Sequence, residues 1–229
     1  QASIEQGAID EDANIRAVFH FYDPVHNRGL KGNLSSKEWA QSTVAQARTS
    51  GSYLATIGSL ALPFFRSDTD YSWDRAVYEY VHGDKKYALK ALGHALHLLE
   101  DATVPDHTRN DAHPPFFDSL FEQASPYEHW TSEHFNAENI AVARQLIQDG
   151  KKPVFLSSLG NYFDILANYS NRNFFSKSTV FDPSYSEPTI QSEKTEMLSD
   201  GKNYIFGYNS VGSGKSKLVR VKKGYDFLK

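Results

Sequence analysis

Asp84-Lys85-Lys86-Tyr87-Ala88-Leu89-Lys90-Ala91-Leu92-Gly93-His94-Ala95-Leu96-His97-Leu98-Leu99-Glu100-Asp101-Ala102-Thr103-Val104-Pro105-Asp106-His107 is the stretch from which the fold class can be read. Ala88, Leu92, Leu96 and Leu99 recur at helical spacing, Asp84 is placed to cap the start, and Pro105 marks the end. A helix is therefore expected from Lys85 to about Ala102. On it, His97 and Asp101 are four residues apart, which sets them about 40° apart and about 6 Å along the axis, on one face. Pro105 stops the helix and lets His107 fold back towards them. An imidazole, a carboxylate and a second imidazole converging at a helix end suit a zinc ion. A lone helical His more often packs in a core. Here Leu96, Leu98 and Leu99 surround the pair, and unpaired polar groups among apolar positions are costly. His94, three residues earlier, is expected to pack or to support the site from behind.

Working outward, further segments read as helices. Ser36-Lys37-Glu38-Trp39 opens one running towards Arg48, with Ser36 as its N-cap. Residues 52–65 are apolar enough for a buried helix ending near Pro63. Asp70 to Tyr80 places Trp73, Val77 and Tyr80 on one apolar face. Phe116 to Gln123, Glu133 to Gln148 and Phe155 to Tyr169 are helical as well. Few stretches alternate at strand spacing, so the class is mainly α. From about Asn171 the chain turns polar, with Tyr204-Ile205-Phe206 and Leu218-Val219-Arg220-Val221 as short strands around a Gly/Ser turn. The expected organisation is one helical domain over 1–170 with a polar segment, 171–229, packed on or trailing from it.

Composition narrows the function. With 229 residues, 40% hydrophobic and 23% charged, the chain can bury a sizeable core. A net charge of −4 argues against nonspecific binding to nucleic acid. There is no cysteine, so any zinc must be held by His, Asp and Glu. The longest apolar stretch, Leu54 to Phe65, is interrupted by Gly58, Ser59 and Pro63 and is too short to span a bilayer. No signal peptide is legible at the N-terminus.

The nine histidines cluster. His129 and Glu133 repeat the four-residue spacing of His97 and Asp101, although alone such a pair is usually a surface helix pair. Asp10-Glu11-Asp12 would ordinarily be a solvated turn. His20 is bracketed by Phe19, Phe21 and Tyr22, which points to a partly buried imidazole in need of a partner.

In order along the chain, Gly7 and Asp12, then His20-Phe21-Tyr22-Asp23-Pro24, then His97, Asp101 and His107, then His129 and Glu133 resemble bacterial zinc-dependent phospholipase C. The match extends over roughly residues 5–135, and the ordered set is far more specific than any one part. The resemblance implies a mainly helical domain holding two to three zinc ions. It places Asp12, His20, His97 and Asp101 on one ion and His107, His129 and Glu133 on a second. Asp101 would bridge to a third ion, which in the family also takes an N-terminal Trp and a nearby His. This chain begins Gln1-Ala2-Ser3, with no His before His20. The short interval between Asp12 and His20 leaves Asp10 and Glu11 as alternatives for the acid ligand.

The resemblance further implies hydrolysis of a phospholipid head group by metal-activated hydroxide, at a membrane surface. Asp12 and Asp101 are the expected catalytic carboxylates, Asp12 as a general base. The same resemblance implies a secreted or periplasmic protein. Two alternatives stand beside it: a single-strand-specific zinc nuclease, which shares the fold and metal pattern, and a degenerate, non-catalytic metal-binding homologue. Glu133, where the nucleases more typically carry Asp, and His20-Phe21-Tyr22-Asp23-Pro24 favour the phospholipase.

Overall fold

The computed structural model describes residues 1–12, 14–47, 70–112, 125, 127–128, 131, 144–179, 182–197, 201, 203–211 and 214–219. Among them the chain is mainly α-helical, with a short strand-containing C-terminal part. The helices are α1 (Ala2–Glu11), α2 (Ser36–Gln41), α3 (Trp73–His82), α4 (Lys85–Asp101), α5 (Pro105–Thr108) and α6 (Leu159–Asn173). No helix of the described residues is long and apolar enough to cross a membrane. The helices expected at 52–65 and Phe116 to Gln123 lie outside the described residues, as does most of Glu133 to Gln148, of which 144–148 is helical.

α4 forms as its sequence predicts. The Asp84 side chain accepts from the Lys86 N–H at 2.8 Å, and Pro105 begins the next helix. Its buried face differs from the expected stripe. Leu96 is 37% exposed, whereas Ala88, Ala91, Gly93, His94, Ala95, Leu98 and Asp101 are buried. Small residues win this face because α1 crosses it at backbone contact. A Cβ on Gly7 would lie 2.0 Å from the Lys90 carbonyl oxygen, and one on Gly93 would lie 2.1 Å from that of Ile4. Only glycine leaves room for two helices this close.

α2 is shorter than expected and capped one residue earlier. Ser35, not Ser36, accepts from the Glu38 N–H, while the Glu38 carboxylate accepts from the Ser35 N–H, a reciprocal capping box. The backbone is extended at Ser42, and helix resumes over 43–47. α3 begins after the Ser72 cap and continues to His82. Its expected apolar face is outward: Trp73, Val77 and Tyr80 are all exposed, and Ala76 and Glu79 are buried. Glu79 earns its burial through polar contacts, accepting from the Asp84 N–H at 2.9 Å and pairing with Arg75. α6 starts and ends four residues later than expected, with Ser158 capping and Phe155 exposed.

The core joins Phe19, Tyr22, Trp39, Ala40, Leu98, Ala102, Phe163 and Ala167, so α2, the end of α4 and α6 share it with the 14–22 segment. Phe19 stacks on Trp39 with centroids 4.1 Å apart. α6 also holds the turn leading to His107. Ser170 Oγ donates to the Thr103 carbonyl at 2.9 Å and Asn171 Nδ2 to that of Thr108 at 2.7 Å.

The division expected at 170/171 falls inside α6, and the chain beyond it returns to the helical body. Buried Arg109 donates to the Asn171 carbonyl and to that of Ser186, each at 2.7 Å. Tyr185 donates its hydroxyl to buried Asp23 at 3.0 Å. Asp23 thus holds the later segment in place and also accepts from the Val25 N–H and from Arg28 Nε. Three antiparallel strands follow, β1 (Ser192–Met197), β2 (Asn203–Val211) and β3 (Gly214–Val219), in the order β1-β2-β3. The first expected strand falls within β2, and Leu218 and Val219 of the second end β3, with Thr195 opposite Ile205 and Gly207 opposite Leu218. Arg220 and Val221 lie outside the described residues. β1, Ser192-Glu193-Lys194-Thr195-Glu196-Met197, was not expected: five of its six residues are exposed, so no apolar alternation announces it.

Candidate metal centre

The last turn of α1 sorts three successive acids onto different partners. Asp10 pairs with Lys90 Nζ at 2.6 Å. Glu11 is 0% exposed, and its carboxylate accepts from Arg16 Nε at 2.6 Å, His94 Nδ1 at 2.5 Å and Trp39 Nε1 at 3.1 Å. Burial by itself would raise its pKa, but the Arg16 charge and the His94 hydrogen bond outweigh it and hold it at about 2. Asp12, 67% exposed at its side chain, faces the imidazoles instead, with Oδ1 3.3 Å from His97 Nε2 and 3.8 Å from His20 Nδ1. Of the three acids, Asp12 is the one the fold brings to the His cluster.

His20 is buried and its orientation is set from behind. Its Nε2 lies 3.2 Å from the Glu11 carbonyl oxygen, which can only accept, so that nitrogen carries the proton. Nδ1 is then turned to the cluster, 3.1 Å from Asp101 Oδ2. His97 Nε2 lies 3.5 Å from the same oxygen. Zinc bonded at about 2.0–2.1 Å in tetrahedral geometry separates its ligand atoms by about 3.3 Å. Asp12, His20, His97 and Asp101 present donor atoms at 3.1, 3.3, 3.5 and 3.8 Å. Moreover, His97 Nε2 and Asp101 Oδ2 are buried atoms with no hydrogen-bond partner among the described residues. Buried polar atoms are rarely left so, and a cation between them would satisfy both. Asp12, His20 and His97 form one group able to hold a divalent cation such as zinc, with Asp101 beside it.

Asp101 also reaches a second group. Its Oδ1 lies 3.1 Å from His107 Nδ1, and His107 Nε2 lies 3.3 Å from Glu128 Oε1. Asp101, His107 and Glu128 form a second set with donor atoms close enough to share an ion. Ser125 supports it, accepting from the Glu128 N–H at 3.3 Å and donating to Asp106 at 2.8 Å. His129 and Glu133, expected at this second ion, lie outside the described residues. Glu128 was missed because the sequence reading paired His129 with Glu133 at helical spacing. The available signal was the adjacency of Glu128 to His129.

His94 is packed inside the helical body. It is fully buried, stacks on Tyr71 with centroids 4.0 Å apart, and spends Nδ1 on Glu11; burial lowers its pKa, favouring the neutral ring. Among the described residues its Nε2 has no hydrogen-bond partner.

The donors are imidazole and carboxylate only, which suits zinc and other borderline divalent ions. No protein-family model matches this chain, and no curated protein is significantly similar to it in sequence.

Protonation of the metal-free site follows from its charges. Burial opposes a charge on His97, but the nearby carboxylates of Asp12 and Asp101 outweigh that and push its pKa up to about 9. Burial likewise opposes a charge on His20, and Asp101 overrides it in the same direction. Because a ligating imidazole must be neutral, a cation binding here would have to displace protons. The apparent affinity for a zinc ion there would therefore rise with pH up to about 9, by up to about tenfold per unit for each proton released, and level off above. The metal-free fold runs the other way. The stability conferred by protonated His97 is fully present below 6.5 and lost as pH rises through about 9. Calorimetric zinc titrations and metal-free melting curves across this range check both signs; a pH-independent affinity would contradict the first.

Proposed function

We propose that this chain is a zinc-dependent phosphodiester hydrolase of the phospholipase C type, acting on phospholipid head groups. The observation that carries it is Asp101, a buried carboxylate standing between two donor groups. Its Oδ2 faces His20 and His97, and its Oδ1 faces His107 beside Glu128. One carboxylate placed between two cation-ready groups is what cleavage at a phosphate needs, because the substrate's oxygens must be held and their growing negative charge offset at two points. Zinc ions held there would polarise the phosphoryl oxygens and lower the pKa of water.

The chain's own residues divide the remaining work. Asp12, His20, His97 and Asp101 would hold one ion, and His107 with Glu128 a second, to which the resemblance adds His129 and Glu133. Asp12 combines contact with the imidazoles and an open position, so it is the residue placed to take a proton from an incoming water. Glu11, sealed against Arg16, His94 and Trp39, keeps the back of the site dry and rigid. The net charge of −4 favours a lipid head group over a nucleic-acid strand, whose backbone would call for a basic surface.

Purified protein supplied with zinc is expected to retain about two ions per chain by elemental analysis. The same preparation should release phosphocholine and diacylglycerol from phosphatidylcholine vesicles and leave single-stranded DNA intact. Absence of bound zinc would overturn the metal reading, and cleavage of DNA alone would overturn the substrate.

A further inference from the structure

Residues 144–155, Arg144-Gln145-Leu146-Ile147-Gln148-Asp149-Gly150-Lys151-Lys152-Pro153-Val154-Phe155, carry three cations against one acid in a chain of net charge −4. All of them are exposed. Ile147 is 73% exposed, Val154 70% and Phe155 87%, the most open large apolar side chain among the described residues. One apolar side chain in water needs no explanation; two adjacent ones beside a pair of lysines do. Neither lysine has an ion-pair partner among the described residues.

Backbone contacts at both ends hold this exposure in place. The helical turn over 144–148 closes on Gly150, whose φ is 73°. The Gly150 N–H donates to the Ile147 carbonyl at 3.0 Å and the Lys151 N–H to that of Leu146 at 2.9 Å. Beyond the tip, the Tyr162 hydroxyl donates to the Val154 carbonyl at 3.2 Å and accepts from the Leu156 N–H at 3.1 Å, which clips the backbone on both sides of Phe155 to α6. Pro153 stiffens the span between these anchors.

Cations beside apolar side chains match the boundary of an anionic bilayer, where phosphates meet acyl chains. A second copy of the chain would cover Val154 and Phe155 but bring lysines against lysines across a symmetric contact. We infer that the 151–155 tip seats this chain on an anionic phospholipid bilayer, with Lys151 and Lys152 at the head-group phosphates and Val154 and Phe155 entering the acyl boundary. This names a docking surface for the substrate proposed above, and rests on that reading for the choice of a bilayer as partner.

The test is co-sedimentation of the full chain with vesicles of equal parts phosphatidylcholine and phosphatidylglycerol, and with vesicles of phosphatidylcholine alone. Phe155→Ser should weaken binding to both by about tenfold. Lys151→Gln with Lys152→Gln should weaken binding to the mixed vesicles by about tenfold or more, leave the neutral ones unaffected, and remove the salt dependence of the difference. Both variants should hydrolyse monomeric dihexanoyl phosphatidylcholine at the wild-type rate, which shows that they fold and that the loss is one of docking. Variants that bind vesicles as the wild type does would overturn the inference. So would a wild-type dimer that Phe155→Ser converts to a monomer, which would assign the tip to a second copy. A wild-type chain that hydrolyses the monomeric lipid but does not sediment with vesicles removes this surface alone. One that sediments through the tip but cleaves neither form of lipid overturns the proposed function and leaves the surface standing.

Discussion

Asp101→Asn is expected to reduce phosphodiester hydrolysis by about three orders of magnitude or more while leaving the helical circular dichroism nearly unchanged. The carboxylate is 8% exposed and lies 3.1 Å from His20, 3.5 Å from His97 and 3.1 Å from His107. Burial by itself would raise its pKa, but the charges of His107 and His20 hold it far below the usual carboxylate range. An amide in its place would put N–H groups or a neutral oxygen where the proposed centre uses a charged ligand, so a cation held with His20 and His97 would lose its strongest donor. Loss of a transition-state charge clamp of several kcal/mol corresponds to that fall in rate. The fold should survive because the imidazoles can shed their protons and need not stay as buried, unpaired charges. Elemental analysis should show less zinc per chain. Near-normal turnover with full zinc content would remove Asp101 from the position proposed for it.

The second large effect concerns packing. Gly93→Ala swaps a poor helix former for the best, which in an open helix stabilises by about 1 kcal/mol. Here the new methyl would lie 2.1 Å from the Ile4 carbonyl and 3.0 Å from the Ala8 nitrogen, both backbone atoms that cannot rotate aside. Overpacking of a core costs about 1–3 kcal/mol and more when the obstacle is rigid. The clash should win, for a net loss of about 2 kcal/mol or more and a melting temperature lower by about 5–8 °C. Asp12 directly follows α1, so forcing α1 away from α4 should weaken the proposed zinc binding even at temperatures where the variant is fully folded. A stabilised variant with unchanged zinc affinity would contradict the close crossing.

Part of this architecture is set by local rules. Asp84 and Pro105 delimit α4 through local rules of capping and chain stiffness, which do not depend on what packs nearby. The proximity of His97 and Asp101 is helical geometry, and that of His107 follows from a short turn. Other expectations failed where the outcome depended on a distant partner. Leu96 looked internal by periodicity, but α1 claims the small-residue face of α4 and leaves Leu96 at the surface. Trp73, Val77 and Tyr80 form a regular apolar face that α3 turns outward.

The sequence by itself determined that the chain is mainly helical and that a cysteine-free set of His and Asp converges near one helix end. The first follows from local helical periodicity and capping, the second from the four-residue spacing of His97 and Asp101 and the short turn that leads to His107. Only the tertiary structure decided that Asp12 and not Asp10 or Glu11 meets His97, since the choice is made by Lys90 holding Asp10 and by Arg16, His94 and Trp39 enclosing Glu11. It alone brought Glu128 to His107, across an interval no periodicity spans, and set Asp101 between two groups of donors. A carboxylate's role is fixed by which charges surround it, and those charges come from segments that only folding brings together.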